Sequence, residues 1–481
     1  MKKVTFIIPE LRLHEQLSIM ALSASLKHAG HKASLIFFQN DPTNKGKILT
    51  ALKQEDPDFV AFSFMSCVKE QYIELGKFIK EHMDIPIIIG GPAATFDEQL
   101  AEDQNSPFDA ACIGEGDLAI VDFVNKYITT DDISSIQNFI AYPSNGTENK
   151  GNLKNLVEPL DDLPFPDRRI IYEKDDLLKN LKIKMFMSGR GCPYKCTYCF
   201  NHKYNRMYKG KGQLIRKKTV DYFLEEIRQT QKGYPMEAII FEDDIFILDK
   251  GWLEEFAGKY PKQIGLPFKC YVRPNLVTKD IARLLKISGC HSVQVAIECG
   301  NEYLRNKVLK RNMTDKQILD CCNVLYDEGL KIGLINILGL PTETKENMME
   351  TLRLNRACKP SHVSANLFMT LPGVDLTLFA IEQGLLDAQF STQKSTHHLS
   401  EMKYPEEIKA VLYPFKSLFP LMVQHPSVEK VFPLLMKLPK SVLKIIDSSY
   451  RLYSNARFHP PVSFSFPNTY RLLRRFINMV S

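Results

Sequence analysis

No apolar run in this chain of 481 residues approaches the ~18 residues that a membrane-spanning helix needs. The N-terminus, MKKVTFIIPELRLHEQL, has two lysines and a short apolar run, but Pro9, Glu10 and Arg12 soon interrupt it and no small-residue cleavage site follows. It reads as a first strand and not as a secretory signal. The expectation is a cytosolic protein, in a compartment that keeps thiols reduced. Cysteine is too sparse for a disulfide scaffold: of the 11 residues, eight are scattered (Cys67, Cys112, Cys270, Cys290, Cys299, Cys321, Cys322 and Cys358) and read as small buried apolar side chains. Strong charge of either sign is also missing, with a formal net charge of +6. A hydrophobic content of 44% with 25% charged residues is ordinary for a soluble globular protein. The length exceeds one ordinary core, so two or three domains are expected.

What is present is strand–helix alternation, twice, which makes the fold class α/β. Residues 1–127 begin with KVTFIIP, a continuous apolar run suited to a strand buried on both faces. ASLIFF, PDFVAFSFM, IPIIIGG and FDAACIGEG follow as strands separated by helical patterns, which predicts a doubly wound, Rossmann-like parallel sheet. Such sheets bind ligands at the carboxyl ends of their strands, where this chain carries Ser63, Gly90-Gly91 and Gly114-Glu115-Gly116. Residues 128–182, with the polar SNGTENKGN and the proline-bracketed LDDLPFPDRR, read as a linker. Residues 183–386 give six βα units, with helices expected at 217–231, 249–259, 278–288, 314–328, 343–358 and 376–386. They predict a (β/α)6 partial TIM barrel with chemistry on its carboxyl-end loops. Residues 387–481 show no strand alternation and read as a basic helical extension broken at Pro405, Pro414, Pro420, Pro433 and Pro439.

The loop after the first strand of the second set reads GCPYKCTYC, with Cys192, Cys196 and Cys199. A structural zinc takes four ligands, with C-x2-4-C pairs usually occurring twice. No second pair lies nearby, although His202 could serve as a fourth ligand. A [4Fe–4S] cube is held by cysteine thiolates, normally four. Three thiolates leave one iron open to a small ligand, and Gly191 and Pro193 let the short loop bring three sulfurs to one cube.

The C-x3-C-x2-C spacing on that loop resembles the radical S-adenosylmethionine (SAM) superfamily, and four further stretches agree. Tyr198 is the aromatic before the last cysteine. FEDDIF, with Glu242, Asp243 and Asp244, stands where the family contacts the SAM amino group. VQVAIECGNEYLRNKVLKRN resembles the fourth-strand segment, in which Glu298 would meet the SAM ribose. INILGLPTET, with Gly339, resembles the fifth-strand segment along the adenine. The resemblance covers ~200 residues, and its fold expectation coincides with the partial barrel of six βα units. It implies a cluster whose open iron chelates SAM, reductive cleavage to a 5′-deoxyadenosyl radical, and an external electron donor of flavodoxin or ferredoxin type. The bland reading of the acidic run is a helix N-cap cluster, and that of Glu298 a surface salt bridge.

A doubly wound domain in front resembles the cobalamin (B12)-binding branch of that superfamily. Ser63-Phe64-Met65 and Gly90-Gly91 match its Ser-x-Leu and Gly-Gly stretches in type and order, and GEGD (Gly114, Glu115, Gly116) is typical of the branch. The string Asp-x-His-x-x-Gly, whose His ligates cobalt in many cobalamin proteins, is missing, and His14 lacks its context. The two resemblances together imply methylation of an unactivated carbon or phosphorus centre. A cyclase or oxidoreductase of the same architecture, and a non-catalytic cobalamin or iron–sulfur sensor, are the alternatives. The last 95 residues hold 13 Lys or Arg against 6 Asp or Glu. Segments such as LPKSVLKIIDSSYRLY and TYRLLRRFINMV mix aliphatic, aromatic and basic residues, as peripheral contact with an anionic membrane and a lipid-like or other small-molecule substrate require. Nucleic acid fits less well, since no aromatic-rich RNA-binding sheet is evident. A solvated helical lid is the plain alternative.

Overall fold

The computed structural model describes residues 1–9, 14–38, 45–103, 105–127, 136–141, 149–392, 395 and 397–463. The chain divides into a front unit (1–180 with 203–216 and 371–373) and a barrel unit (181–202, 217–370 and 374–481).

In the front unit β1 (Lys3–Pro9) buries five consecutive residues, which its unbroken apolar run requires of a central parallel strand. With β2 (Lys32–Phe38), β3 (Phe59–Ser63), β4 (Ile87–Gly90) and β5 (Ala110–Cys112) it forms a parallel sheet in the order β2-β1-β3-β4-β5. β6 (Phe139–Ala141) and β7 (Asn149–Lys150) extend the sheet antiparallel. Both come from the stretch expected as a linker; strands of three and two residues carry too little periodicity to be seen. Strand order reverses between β1 and β3, the switch point where doubly wound sheets open a crevice. Ser63 closes β3 there and pairs in register with Gly90.

The barrel unit opens with β8 (Ile183–Phe186). Two-residue strands β9 (Gly189–Arg190) and β10 (Arg216–Lys217) lie outside the main sheet. β11 (Ala238–Phe241), β12 (Phe268–Val272), β13 (Cys290–Glu298), β14 (Lys331–Leu338) and β15 (His362–Leu367) follow β8 in chain order as a curled, wholly parallel six-stranded half-barrel. The helices between them start where a side chain caps them. Thr219, Asp249, Thr278, Thr314 and Thr344 each accept from a backbone N–H in the first turn, and the last two complete capping boxes. Phe186, Phe223, Phe241, Phe246, Trp252 and Phe256 fill the layer between strands and helices.

Helices Glu406–Gln424, Ser427–Leu435 and Lys440–Phe458 pack Leu412, Phe415, Phe419, Met422 and Leu443 with Val363, Ala365 and Leu367 of β15. Two of the expected proline breaks stand, since Pro405 and Pro439 occupy N-caps. Pro414, Pro420 and Pro433 lie inside helices instead. Pro414 and Pro420 are buried, and packing there outweighs the ~3 kcal/mol that an internal proline costs. At the far end of Lys440–Phe458, the Phe458 ring occupies the space beside Gly333 of β14: a Cβ on Gly333 would lie 2.5 Å from it.

Candidate active site at the strand ends

The cysteine loop follows β8 directly. Gly191 turns it at φ +94°, a conformation that disfavours any side chain. Cys196 and Cys199 sit on one turn, with the Cys199 N–H donating to the Cys196 carbonyl at 3.2 Å. Thr197 between them anchors the loop from three sides. Its N–H donates to Leu309 O (3.2 Å), its hydroxyl to Val308 O (2.7 Å), and its carbonyl accepts from Leu376 N (2.8 Å). Burial pushes the Cys192 thiol up to about 11 and the Cys199 thiol up to about 12, with Asp244 and the neighbouring cysteines adding to both. Among the described residues no three His, Cys, Asp or Glu side chains could hold one metal ion. A four-iron cube makes no such demand, because each thiolate binds a different iron. His202 lies 3.0 Å from the Asp375 carboxylate.

Two arginines that sequence reasoning left without a role border this loop. Arg273, at the end of β12, stacks on Tyr194 at 3.7 Å and points Nη1 at Cys196 Sγ at 3.6 Å. Its Nη2 donates to the Arg311 carbonyl. Arg311 donates to the Tyr198 hydroxyl and, at 2.6 Å, to Ala296 O. Both side chains are buried, and the Nε of each has no hydrogen-bond partner. The tightly held thiol protons of Cys192 and Cys199 beside two buried guanidiniums fit a donor set that becomes anionic when it takes up a metal cluster. The only sequence signal was their place: a cation directly after a strand, and another in the loop beyond the next.

Of the residues expected to meet SAM, the structure brings Tyr198 and Glu298 together: the tyrosine hydroxyl donates to Glu298 Oε1 at 2.9 Å, and Arg311 Nη1 stands 3.5 Å from the same oxygen. Burial raises the Glu298 carboxyl against the pull of Arg311. Glu298 ends β13 at φ +70°, and Lys310 and Asn312 flank Arg311 at φ +51° and +52°; such positions persist where surroundings enforce them, often at functional sites. Glu298 is thus buried and paired, not the surface salt bridge of the bland reading.

The acidic run separates by orientation. Asp243 turns inward and accepts from Ser188 N (3.0 Å) and Ser188 Oγ (2.5 Å), with Lys217 Nζ at 3.8 Å. Its carboxylate ties the cysteine loop to β11. Asp244 remains open to solvent, yet the protein around it raises its carboxyl by desolvation, as in a concavity. Glu242 is half-buried and faces the surroundings of Lys269 and Tyr271. None of the three caps the next helix, a role held by Asp249. Gly339 follows β14, whose Asn336 pairs in register with Glu298, and has φ +74°; a Cβ there would meet Leu412 at 2.8 Å and the Tyr404 hydroxyl at 3.0 Å. Its N–H donates to Glu343 Oε2 at 2.5 Å.

In the front unit Ser63, Gly90 and Gly91 gather at the switch point, and Met65 is exposed beside them. Gly91 has φ +83°, and a Cβ on it would lie 2.9 Å from Ser63 Oγ and 3.1 Å from Phe64 backbone. Gly90 would meet only Cys112 and Phe62 O, at 3.7 and 4.0 Å, so its backbone stays approachable, as a ligand lying against the sheet requires. The GEGD residues also have protein partners. A Cβ on Gly114 would fall 2.0 Å from the Tyr208 hydroxyl, and one on Gly116 would fall 3.0 Å from Leu22. Glu115 accepts two bonds from Arg216, at 3.0 and 2.6 Å. His14 lies just before the helix Leu17–His28, its Nδ1 3.2 Å from Glu15 O.

Comparison with known proteins agrees with this division. The model of the radical SAM superfamily matches residues 186–354, and that of the B12 binding domain matches residues 11–124. An uncharacterized methyltransferase of Pyrococcus horikoshii is 22% identical over 370 residues, spanning 76% of this chain and 79% of that protein. Two solved structures share the fold. The radical SAM methyltransferase TsrM from Kitasatospora setae, solved with cobalamin and a [4Fe–4S] cluster, superposes with a TM-score of 0.64 at 15% identity, covering 80% of this chain and 75% of that one. The cobalamin-dependent SAM radical enzyme OxsB, with aqua-cobalamin and SAM bound, gives 0.68 at 15% identity, covering 100% and 84%.

Proposed function

From the premise that this chain is a radical SAM superfamily enzyme with a B12-binding domain in front, we propose that it transfers a methyl group from SAM to an unactivated carbon or phosphorus centre of a small-molecule or lipid-like substrate. Its cofactors are a [4Fe–4S] cluster, SAM and cobalamin. Cys192, Cys196 and Cys199 would hold the cluster, and Ser63, Met65, Gly90 and Gly91 would border the cobalamin. When bound, the cluster supplies the electron that splits the sulfonium of SAM and cobalamin supplies the methyl carrier. An external one-electron donor of flavodoxin or ferredoxin type is required.

The chain's own residues bind and orient. Thr197 and the Asp243–Ser188 bonds fix the thiol loop. Arg273 and Arg311 supply positive charge beside it. Asp244 offers an accessible carboxylate near Cys192 and Cys199 for a cationic ammonium. Glu298, held by Tyr198 and Arg311, offers a fixed acceptor for a sugar hydroxyl. The observation that carries the reading is the anchored three-thiol loop at the end of the first barrel strand, with no fourth cysteine in it.

The test is anaerobic reconstitution with iron, sulfide and cobalamin, then incubation with methyl-labelled SAM and a strong reductant. The expected results are a four-iron cluster, release of 5′-deoxyadenosine, and label recovered on cobalamin. No cluster, a cluster fully ligated by protein, or no SAM cleavage overturns the enzyme reading. Deoxyadenosine without any label on cobalamin overturns methyl transfer and leaves a cyclase or oxidoreductase.

A further inference from the structure

The last two described helices of the barrel unit turn apolar side chains to solvent. Helix Ser427–Leu435 has no buried residue. Leu434 is 69% exposed and Val431 47%, three positions apart on one face. Helix Lys440–Phe458 buries apolar Leu443 and Phe458 toward its two ends. Its inner face carries Asp447, Ser448 and Ser454 among its buried residues. Asp447 accepts from Lys416 at 2.6 Å and lies 3.3 Å from Arg451, and Ser454 bonds His362 at 3.0 Å. The opposite face holds Val442, Ile445 and Leu452, spaced three and seven residues apart, with Tyr453 beside them. Ile445 is 63% exposed and Tyr453 56%. Large apolar side chains on the solvent face, opposite an inner face that is itself partly polar, are unusual for a helix facing water.

The charge around this face has one sign. Residues 427–458 contain Lys430, Lys437, Lys440, Lys444, Arg451 and Arg457 against Glu429 and Asp447. Both acids are turned to protein cations, Glu429 to Arg356 and Asp447 to Lys416. Lys430, Lys437 and Lys440 are exposed.

We propose that these two helices form a peripheral docking face for an anionic lipid bilayer, seating Leu434 and Ile445 in the acyl boundary while the lysines meet headgroups. A second copy of the chain is the poorer occupant, because it would bring the same excess of cations against this one. Among the described residues no helix is long and apolar enough to cross a membrane, so the contact lies in the plane of the surface. The inference needs neither the cluster nor cobalamin and stands apart from the chemistry proposed above. The segment TYRLLRRFINMV, expected to join such a contact, lies outside the described residues.

The experiment is flotation of the full chain with vesicles of phosphatidylcholine alone and with vesicles containing about 30 mole per cent phosphatidylserine. Flotation with the anionic vesicles only, weakened by salt, is expected. Neutralising Lys430, Lys437 and Lys440 to Gln should lower partitioning about fivefold for each lysine. Leu434→Asp with Ile445→Asp should abolish it while the melting temperature stays unchanged, since both sites are exposed. Failure to float with either vesicle overturns the proposal, as does flotation indifferent to the two Asp substitutions. A concentration-dependent dimer that Ile445→Asp dissolves, without anionic flotation of the parent protein, overturns it in favour of self-association.

Discussion

In the front unit the carboxyl ends of the strands carry mainly small residues, with one ion pair between Glu115 and Arg216, whereas in the barrel unit they carry a cluster of buried charge. Gly91 and Gly114 are confined by Ser63, Phe64 and Tyr208, and Gly90 keeps one stretch of backbone approachable. The barrel rim instead sinks Asp243, Arg273, Glu298 and Arg311 below the surface. Removing an ion from water costs several kcal/mol, so a rim that collects four is built for electrostatics. The glycine rim is built for shape. A cofactor that lies against backbone suits the first, and a charged cluster with a zwitterionic, sulfonium-bearing ligand suits the second.

The largest expected effect is on the barrel alone. Cys192→Ala, Cys196→Ala or Cys199→Ala should reduce SAM cleavage to background, read as 5′-deoxyadenosine release, while cobalamin retention stays at the parent level. Loss of both together would break the contrast. Next, Arg311→Met leaves Glu298 buried without its cation. Urea denaturation should register a loss of about 3–5 kcal/mol, the usual cost of stranding one partner of a buried pair. In the front unit, Gly114→Ala forces a side chain into φ +80° and against Tyr208, and should cost about 1–3 kcal/mol by the same measurement. Gly90→Ala has no such obstacle: stability should stay within ~0.5 kcal/mol while cobalamin retention falls. Should Gly90→Ala bind cobalamin as tightly as its parent, the shape argument fails.

A further effect concerns pH. Burial pushes the Glu343 carboxyl up to about 8, against two backbone N–H donors from Gly339 and Leu340. The folded chain therefore holds this proton where the unfolded chain releases it. Stability from this group is full below about 4.5 and declines as pH rises toward about 8. Glu343→Gln, which can still accept both bonds, should flatten that part of a thermal-denaturation pH profile.

The long elements were legible because their patterns are strong. Unbroken apolar runs marked the parallel strands, and threonine or aspartate caps fixed where the barrel helices begin. The cysteine loop was legible because its spacing has few other uses. What escaped detection depended on the third dimension. Nothing local shows that Asp243 faces Ser188 while Asp244 faces outward, or that Arg273 and Arg311 meet over the thiol loop. Nothing local shows either that the Glu115 carboxylate meets Arg216, 101 positions away. Pro414 and Pro420 read as breaks because propensity is local, while the cluster that keeps them helical is assembled from distant segments.

Thr197 has one further implication. Its three bonds come from backbone groups at 308, 309 and 376, none of which depends on a metal. Classical zinc fingers collapse when stripped, because the ion is their fold. Here backbone hydrogen bonds tie the loop to the barrel, so oxidative destruction of an iron–sulfur cube should leave a folded chain open to refilling, and repair becomes a matter of delivery instead of resynthesis.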